Sequence, residues 1–259
     1  MMFLGLLVTL AAGASLGLFG SGGSLLIVPA IVYFFRRPPI EATAYSLIVV
    51  SIAALVGTLL HRLSRPLPWR KMLSFLAASV GAAFLTRLVI VPRLGESLAF
   101  GSVRITRDKL LMLAFSAFAA AAGAAMLRKR QVSRSRTTPR PLVVVLVGAA
   151  TGGLTAMLGT GGGFLVLPAL TLLVGLPIDD AVPASLAVVT AQSIAGSLGA
   201  LSAMPEFDVR FVTLLTATIL AGVALGVAAG RRVPAARLSQ GYAWLVILVA
   251  AAMAIYELR

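Results

Sequence analysis

Two short glycine-rich stretches hold the residues of this chain whose types and spacing best suit chemistry. Residues 20–23 read GSGG and residues 159–163 read GTGGG, and each stretch places one hydroxyl, Ser21 or Thr160, among its glycines. Glycine lets a ligand approach backbone N–H groups closely, and a helix beginning behind such a stretch turns its free N–H groups and positive dipole end toward the ligand. These stretches, called the first and second glycine breaks, are therefore predicted to bind an anion.

The surroundings of the glycine breaks are those of a membrane protein. Hydrophobic residues make up 59% of the 259 residues and charged residues 12%, whereas a soluble domain has about 25% charged residues. Six apolar stretches approach the roughly 20 residues that a helix needs to cross a bilayer. They lie at 43–61, 71–91, 110–127, 181–203, 211–229 and 240–257. The predicted fold class is all-α and polytopic transmembrane, with residues 1–259 in one membrane domain.

An internal duplication relates the two glycine breaks and the spans behind them. An offset of 139 residues, without a gap, pairs Gly20 with Gly159 and keeps other glycines, prolines and a serine in register. The further pairs include Gly13 with Gly152, Pro29 with Pro168, Pro38 with Pro177 and Ser46 with Ser185. Chance similarity of apolar segments would not align these residue types, so we interpret 1–127 as a first repeat, 128–140 as a basic cytoplasmic linker and 141–259 as a second repeat.

Loop charge predicts that the two repeats have opposite orientations in the membrane. The loop 61–71 has four Lys or Arg and no acid, whereas its counterpart, 203–210, contains Glu206 and Asp208. By the positive-inside rule, loops 61–71, 128–140 and 231–237 are cytoplasmic, which gives inverted-topology repeats. Each repeat then has a glycine-broken hairpin, at 3–35 or 141–175, followed by three spanning helices. The part behind each break, about 11 residues or about 17 Å of helix, is too short to span alone.

Polar residues inside the spans extend the predicted binding site. Ser185, Gln192 and Ser193 can share a helix face, and Ser46 is the first-repeat equivalent of Ser185. Serines in membrane helices usually serve packing and backbone bonding, which remains the alternative for each serine, whereas a buried amide needs partners. His61, the only histidine, ends a span and is expected at the interface. The predicted substrate-binding residues are Gly20, Ser21, Gly22, Gly23, Ser46, Gly159, Thr160, Gly161, Gly162, Gly163, Ser185, Gln192 and Ser193.

Several other functions find little support in the residues. The glycine breaks lack the Lys-Ser/Thr of a phosphate loop and the βαβ context of a dinucleotide fingerprint, although a role in helix packing alone stays open. All eight acids lie in loops or at span ends, and the chain has no cysteine. No catalytic residue, metal site or cofactor is therefore expected. The net charge of +14 is attributed to topology and anionic lipid rather than to nucleic acid.

The duplicated motif also carries a family resemblance. The segments GSGGSLLIVPA and GTGGGFLVLPA, each followed by a Pro- and acid-containing loop and then by YSLIVV or ASLAVV, resemble the TauE/SafE family, also called toluene sulfonate uptake permeases. The resemblance covers most of the chain and is strongest over 10–60 and 149–200. It implies a multi-pass permease of the bacterial inner membrane for sulfur-containing anions such as sulfite, sulfonates or sulfoacetate. Ser24 departs from the pattern where the second repeat has Gly163, which leaves equal participation of the two breaks open.

We therefore predict a transporter that holds a small anion between the two glycine breaks. Alternating access by rocking of the halves follows from the inverted repeat only by analogy. A passive anion channel is the alternative function, and an enzyme is a distant third. The expected partners are the small anionic substrate, the lipid bilayer and, as an option that the residues leave open, a second copy of the chain.

Overall fold

The computed structural model describes residues 2–62, 69–86, 89, 97–100, 103–128, 141–158, 163–201 and 207–258. Over the first half of the chain the helices are α1 (Met2–Phe19), α2 (Ser24–Phe35), α3 (Pro39–Arg62), α4 (Trp69–Leu85) and α5 (Arg107–Arg128). Over the second half they are α6 (Pro141–Leu158), α7 (Gly163–Pro168), α8 (Ile178–Leu201), α9 (Val209–Gly230) and α10 (Ala235–Leu258). The all-α fold class is confirmed, and every predicted span falls on one of these helices.

Local signals explain where several helices begin and end. Gly20 adopts a φ of +82°, a left-handed conformation that stops α1 and suits glycine. Arg36 closes α2 with a φ of 54° and donates its N–H to the carbonyl of Ile31. Asp208 caps α9 by accepting the N–H of Phe211 through its side chain. A proline, Pro168, marks the point where α7 passes into a π-helical segment, Ala169–Leu173.

One element differs from the sequence expectation. The segment predicted as a loop between the second and third spans contains an antiparallel hairpin of β1 (Ser97–Phe100) and β2 (Val103–Thr106), in which Phe100 pairs with Val103. Apolar and polar residues alternate along β2, and Gly101-Ser102 between the strands has the composition of a two-residue hairpin turn.

Small residues bring two pairs of helices into backbone contact. In the crossing of α1 with α9, a Cβ added at Gly13 would lie 2.3 Å from the carbonyl oxygen of Ile219, and one at Gly222 would lie 2.2 Å from that of Leu10. In the crossing of α6 with α4, a Cβ at Gly152 would lie 1.9 Å from the carbonyl oxygen of Ser79. Such close approach through glycines is the small-xxx-small packing of membrane helices.

The helices of the two halves pack in matching pairs. The helix α1 packs on α9 while α6 packs on α4, and α3 packs on α8 while α5 packs on α10. In the duplicated sequence, α1 to α5 correspond in order to α6 to α10. Replacing each helix by its counterpart in the other half gives the same set of pairs. The end of α3 lies beside the end of α1, where His61 contacts Gly17, and the start of α8 lies there too, where Val182 is close to Gly20. The two equivalent helices, which pack on each other, therefore run in opposite directions.

Ion pairs and turns define two ends of the helix bundle. At one end, the start of α1 meets the end of α2, because a Cβ at Gly5 would contact the ring of Phe35. At the same end, Arg37 forms an ion pair with Asp208 at 2.7 Å. This is the Arg37 end. At the other end, the Nη2 of Arg231 donates to the carbonyl of Leu60 at 3.4 Å. This second end, the His61 end, gathers the ends of α1, α3 and α9. The antiparallel pair α1 and α2 forms the hairpin that the sequence predicts.

The surface and the interior have the polarity of a protein in lipid. Large apolar side chains are exposed on many helices, for example Phe3 at 75%, Leu142 at 68% and Leu248 at 63%. Among the described residues, the buried side chains with polar groups are serines, threonines, one glutamine and two tyrosines, Tyr45 and Tyr242, with no Asp, Glu, Lys, Arg or His. By length and composition, three of the described helical stretches could each cross a membrane. They are Met2–Phe19, Glu41–His61 and Val209–Gly230.

Candidate functional site

The first glycine break forms a tight, buried connection between α1 and α2. All of its residues and Ser24 are buried. The N–H of Gly20 donates to the carbonyl of Leu16 at 2.8 Å, and the hydroxyl of Ser24 donates to the carbonyl of Ser21 at 3.0 Å. Gly23 lies at the N-cap of α2 without a side-chain hydrogen bond to the helix. The first turn of α2 therefore begins in the interior of the protein, where its backbone N–H groups are buried.

Helices of the second half enclose this break. A Cβ built on Gly20 would lie 2.4 Å from the Oγ of Ser185 and 2.5 Å from the carbonyl oxygen of Val182, both on α8. A Cβ on Gly22 would lie 2.9 Å from the ring of Tyr242 and 3.2 Å from Leu245, both on α10. The structure thus brings together Ser185 and the first break, which are far apart in sequence. Irregular backbone is accommodated here by burial in protein.

Tyr242 is a residue of this site that the sequence interpretation missed. Its side chain is fully buried, its hydroxyl lies 3.4 Å from the Oγ of Ser21, and its ring packs edge-on against Phe19 with centroids 5.5 Å apart. A tyrosine in the middle of an otherwise apolar stretch of α10 was the available signal, because a buried phenol needs a hydrogen-bond partner. That signal does not identify the partner, which comes from the other half of the chain.

The glycines of the first break differ in what surrounds them. A Cβ on Gly23 would lie 2.0 Å from the carbonyl oxygen of Ala12 and 2.6 Å from the backbone nitrogen of Leu16. Glycine is required at this position by the packing of α2 on α1, which is the packing role that the sequence left open. At Gly20, the positive φ gives a second, conformational reason for glycine.

The second glycine break lies mostly outside the described residues. Residues 159–162, with the predicted ligands Gly159, Thr160, Gly161 and Gly162, are not described, and Gly163 begins α7 as expected. Behind it, α7 and the π-helical segment together take the place that α2 has in the first half. The predicted binding role of the second break stays a prediction.

Polar residues of α8 occupy two levels of the helix. Ser185 donates to the carbonyl of Val182 at 2.8 Å, which is the backbone bonding expected of a membrane serine. About two turns farther along, the Nε2 of Gln192 donates to the Oγ of Ser79 on α4. The Oε1 of Gln192 and the Oγ of Ser193 are buried without a hydrogen-bond partner among the described residues. Gln192 therefore belongs to the contact of α8 with α4, away from the first break.

Two other predicted residues are placed on α3. Ser46, the equivalent of Ser185, is 2% exposed. His61 is half-buried at the His61 end, where its Nε2 lies 3.0 Å from the carbonyl oxygen of Gly17, shortly before the first break. This contact ties the end of α3 to the end of α1.

A charged and aromatic cluster, also missed from sequence, joins the halves at the Arg37 end. Besides Asp208, Arg37 approaches Glu41 at 3.7 Å and lies over the ring of Phe211, 5.1 Å from its centroid. The hydroxyl of Tyr45 accepts the N–H of Asp208 at 3.1 Å. The connection between α2 and α3 is thereby fastened to the start of α9.

Comparison with known proteins agrees with this architecture. Residues 5–253 match the family described as Sulfite exporter TauE/SafE. A probable membrane transporter protein of Xylella fastidiosa (strain Temecula1) is 29% identical over 95% of this chain and 93% of its own length. A probable membrane transporter protein of Haemophilus influenzae is 28% identical over 95% of both chains, and one of Methanocaldococcus jannaschii is 24% identical over 79% of this chain and 75% of its own. No solved structure matches the chain.

Proposed function

Because the chain belongs to the sulfite exporter TauE/SafE family, we propose that this membrane transporter carries a small sulfur-containing anion, such as sulfite, a sulfonate or sulfoacetate. The observation that carries this proposal is the first glycine break. There the N-terminus of α2, the hydroxyl of Ser21 and the hydroxyl of Tyr242 meet in a buried position. Backbone N–H groups, a helix dipole and hydroxyl donors are the groups that solvate an anion away from water.

The proposed mechanism is alternating access, with the anion held between the two halves. The first break belongs to the first half, and the helices around it, α8 and α10, belong to the second. A movement of one half against the other would open or close this contact. The exchange of helix pairs between the halves and the opposite directions of α3 and α8 support an inverted repeat, which is the architecture of many alternating-access transporters.

The correspondence between the helices of the two halves extends the proposed site to the second break. If the halves are related by a two-fold axis, α3 and α5 would enclose the second break as α8 and α10 enclose the first. Ser46 would then stand near Gly159 as Ser185 stands near Gly20. We therefore propose that Thr160 and residues 161–163 contribute donors from the opposite side of the anion, together with Gln192 and Ser193 of α8.

The proposed location is a bacterial inner membrane with the His61 end in the cytoplasm. Arg231 and Arg232 are exposed at that end, between α9 and α10. The positive-inside rule assigns such short basic loops to the cytoplasm. The Arg37 end, where Asp208 and Glu41 balance Arg37, would then face the periplasm.

Ligand binding by the purified protein tests the proposal directly. Thermal unfolding should be shifted upward by sulfite, a sulfonate or sulfoacetate, and less by acetate, because a ligand that binds the folded state stabilises it by mass action. Thr160→Asp should abolish that shift, since a fixed carboxylate at the second break would repel an anion. An unchanged shift in Thr160→Asp would exclude the second break from the site.

A passive anion channel is the alternative, and flux in proteoliposomes distinguishes the two. A carrier should show saturable uptake of labelled sulfite and counterflow driven by unlabelled sulfite inside the vesicles. Linear uptake without counterflow would favour the channel.

A further inference from the structure

We propose that Gln192 of α8 is a specificity-determining acceptor that selects anions carrying a hydrogen-bond donor of their own. This inference rests on the proposed transport function and narrows its substrate class. The class comprises small sulfur oxyanions with a hydroxyl, such as hydrogen sulfite or a hydroxyalkanesulfonate. The residues that carry the inference are Gln192, Ser193 and Ser79, called the polar cluster, which lies away from the first glycine break.

The polar cluster is buried, and one of its oxygens is fixed in place as a free acceptor. Ser79 and Ser193 are 0% exposed and Gln192 is 7% exposed. The amide of Gln192 is held by the hydrogen bond that its Nε2 donates to the Oγ of Ser79 on α4. Its Oε1 and the Oγ of Ser193 have no hydrogen-bond partner among the described residues. The amide therefore offers a carbonyl oxygen whose position is set by a neighbouring helix.

The polar cluster lies close to the level of the second glycine break. Residues 174–177 join the π-helical segment to α8, and both that segment and α7 pack against α8, so the chain turns back on itself here. At about 1.5 Å per residue, Gly163 lies about 16 Å from this turn and Gln192 about 21 Å from it on the neighbouring helix. Gln192 is thus within about one helical turn of the start of α7, which directly follows the second break in the chain.

A free carbonyl oxygen in a buried position favours a ligand that brings a donor. It repels the bare oxygen of an anion, because both atoms carry lone pairs and neither carries a proton. Among the described residues, no buried Lys, Arg or His could donate to the Oε1 of Gln192 instead. Because an unmade bond leaves a buried polar group unsatisfied, a site built to bond a hydroxyl discriminates strongly against an analogue without it.

The test compares isethionate with ethanesulfonate, which have the same charge and differ by one hydroxyl. Isothermal titration of the full-length protein in detergent should show isethionate binding at least tenfold more tightly. Gln192→Leu should bring the ratio of the two dissociation constants close to one, mainly by weakening the binding of isethionate. Thr190→Val on the same helix is the matched control. The hydroxyl of Thr190 donates to the carbonyl of Leu186 at 2.8 Å, so its loss should leave the ratio unchanged.

A second variant covers the case in which Gln192→Leu does not fold. Ser79→Ala removes the oxygen that holds the amide, so the preference for isethionate should fall here as well; a merely structural role of Ser79 would leave this ratio unchanged. A tenfold preference retained in either folded variant would overturn the inference.

The unmodified protein provides a test of its own. Equal binding of the two sulfonates would overturn the role of Gln192, and so would equal weakening of both by Gln192→Leu. Binding of sulfite without binding of isethionate would overturn it too, while leaving the proposed function in place. If the unmodified protein binds none of sulfite, isethionate and ethanesulfonate, the proposed function itself fails, and the role of Gln192 fails with it.

Discussion

Replacing Gly23 by Ala isolates the packing role of one glycine in the first break. The backbone of Gly23 has a φ of −69° and a ψ of −29°, which alanine adopts freely, so the substitution introduces no conformational strain. The added Cβ would lie 2.0 Å from the carbonyl oxygen of Ala12 and 2.7 Å from the Cβ of Leu16, whereas ordinary contact begins at 3.4 Å. Relief therefore requires α2 to move away from α1 by about 1 Å.

The loss of stability caused by this movement can be compared with that of a control variant in the same chain. Overpacking costs about 1–3 kcal/mol, and we expect the upper half of that range because the obstructing atoms include backbone. For a chain of this size each kcal/mol corresponds to about 2–4 °C, so the melting temperature should fall by about 4–12 °C. Gly81→Ala in α4 is the control, since a Cβ there meets nothing within 4 Å.

Thermal unfolding of both variants in the same detergent, without ligand, measures the difference. Gly81→Ala should match the unmodified protein or exceed it slightly, because alanine favours a helix by up to about 1 kcal/mol over glycine. If Gly23→Ala were as stable as Gly81→Ala but bound sulfite more weakly, close packing of α2 on α1 would not be the reason for this glycine. The close approach of a ligand would then be the better explanation.

Three further predictions concern topology, the amide on α8 and the ion pair between the halves. Pro38 and Pro177 are equivalent in the repeat and both exposed. Cysteines that replace them should react with an impermeant maleimide from opposite sides of the membrane. Labelling of both from the same side would refute the inverted repeat. Gln192→Leu should weaken sulfite binding more than it lowers the melting temperature, because it also removes an unpartnered buried oxygen; the reverse order would assign Gln192 to packing. Asp208→Ala should lower stability by about 0.5–2 kcal/mol, measured by thermal unfolding, through a lost helix cap and a lost ion pair. No loss would show that neither contact contributes.

The sequence predicted the helices well because the signal for them is local. An apolar stretch of spanning length must be helical in a bilayer, since each backbone group needs its partner within the segment. The breaks at Gly20 and Gly159 were visible for the same reason, because consecutive glycines are costly inside a helix. The start of α2 at Ser24 and of α7 at Gly163 followed directly. The short β-hairpin was missed because each of its strands is only four residues long and only β2 has an alternating pattern.

Contacts between distant parts of the chain could be decided only by the tertiary structure. The sequence identifies Ser21, Ser185 and Tyr242 as polar residues in apolar helices, but nothing local to any of them says which helices will be neighbours. The first break meets α8 at Gly20 and α10 at Gly22, and α1 crosses α9 at Gly13. These crossings depend on the shapes of two surfaces at once, and no single segment encodes that fit. The sequence thus determined which segments are helices and where they break, and packing determined which side chains face the break.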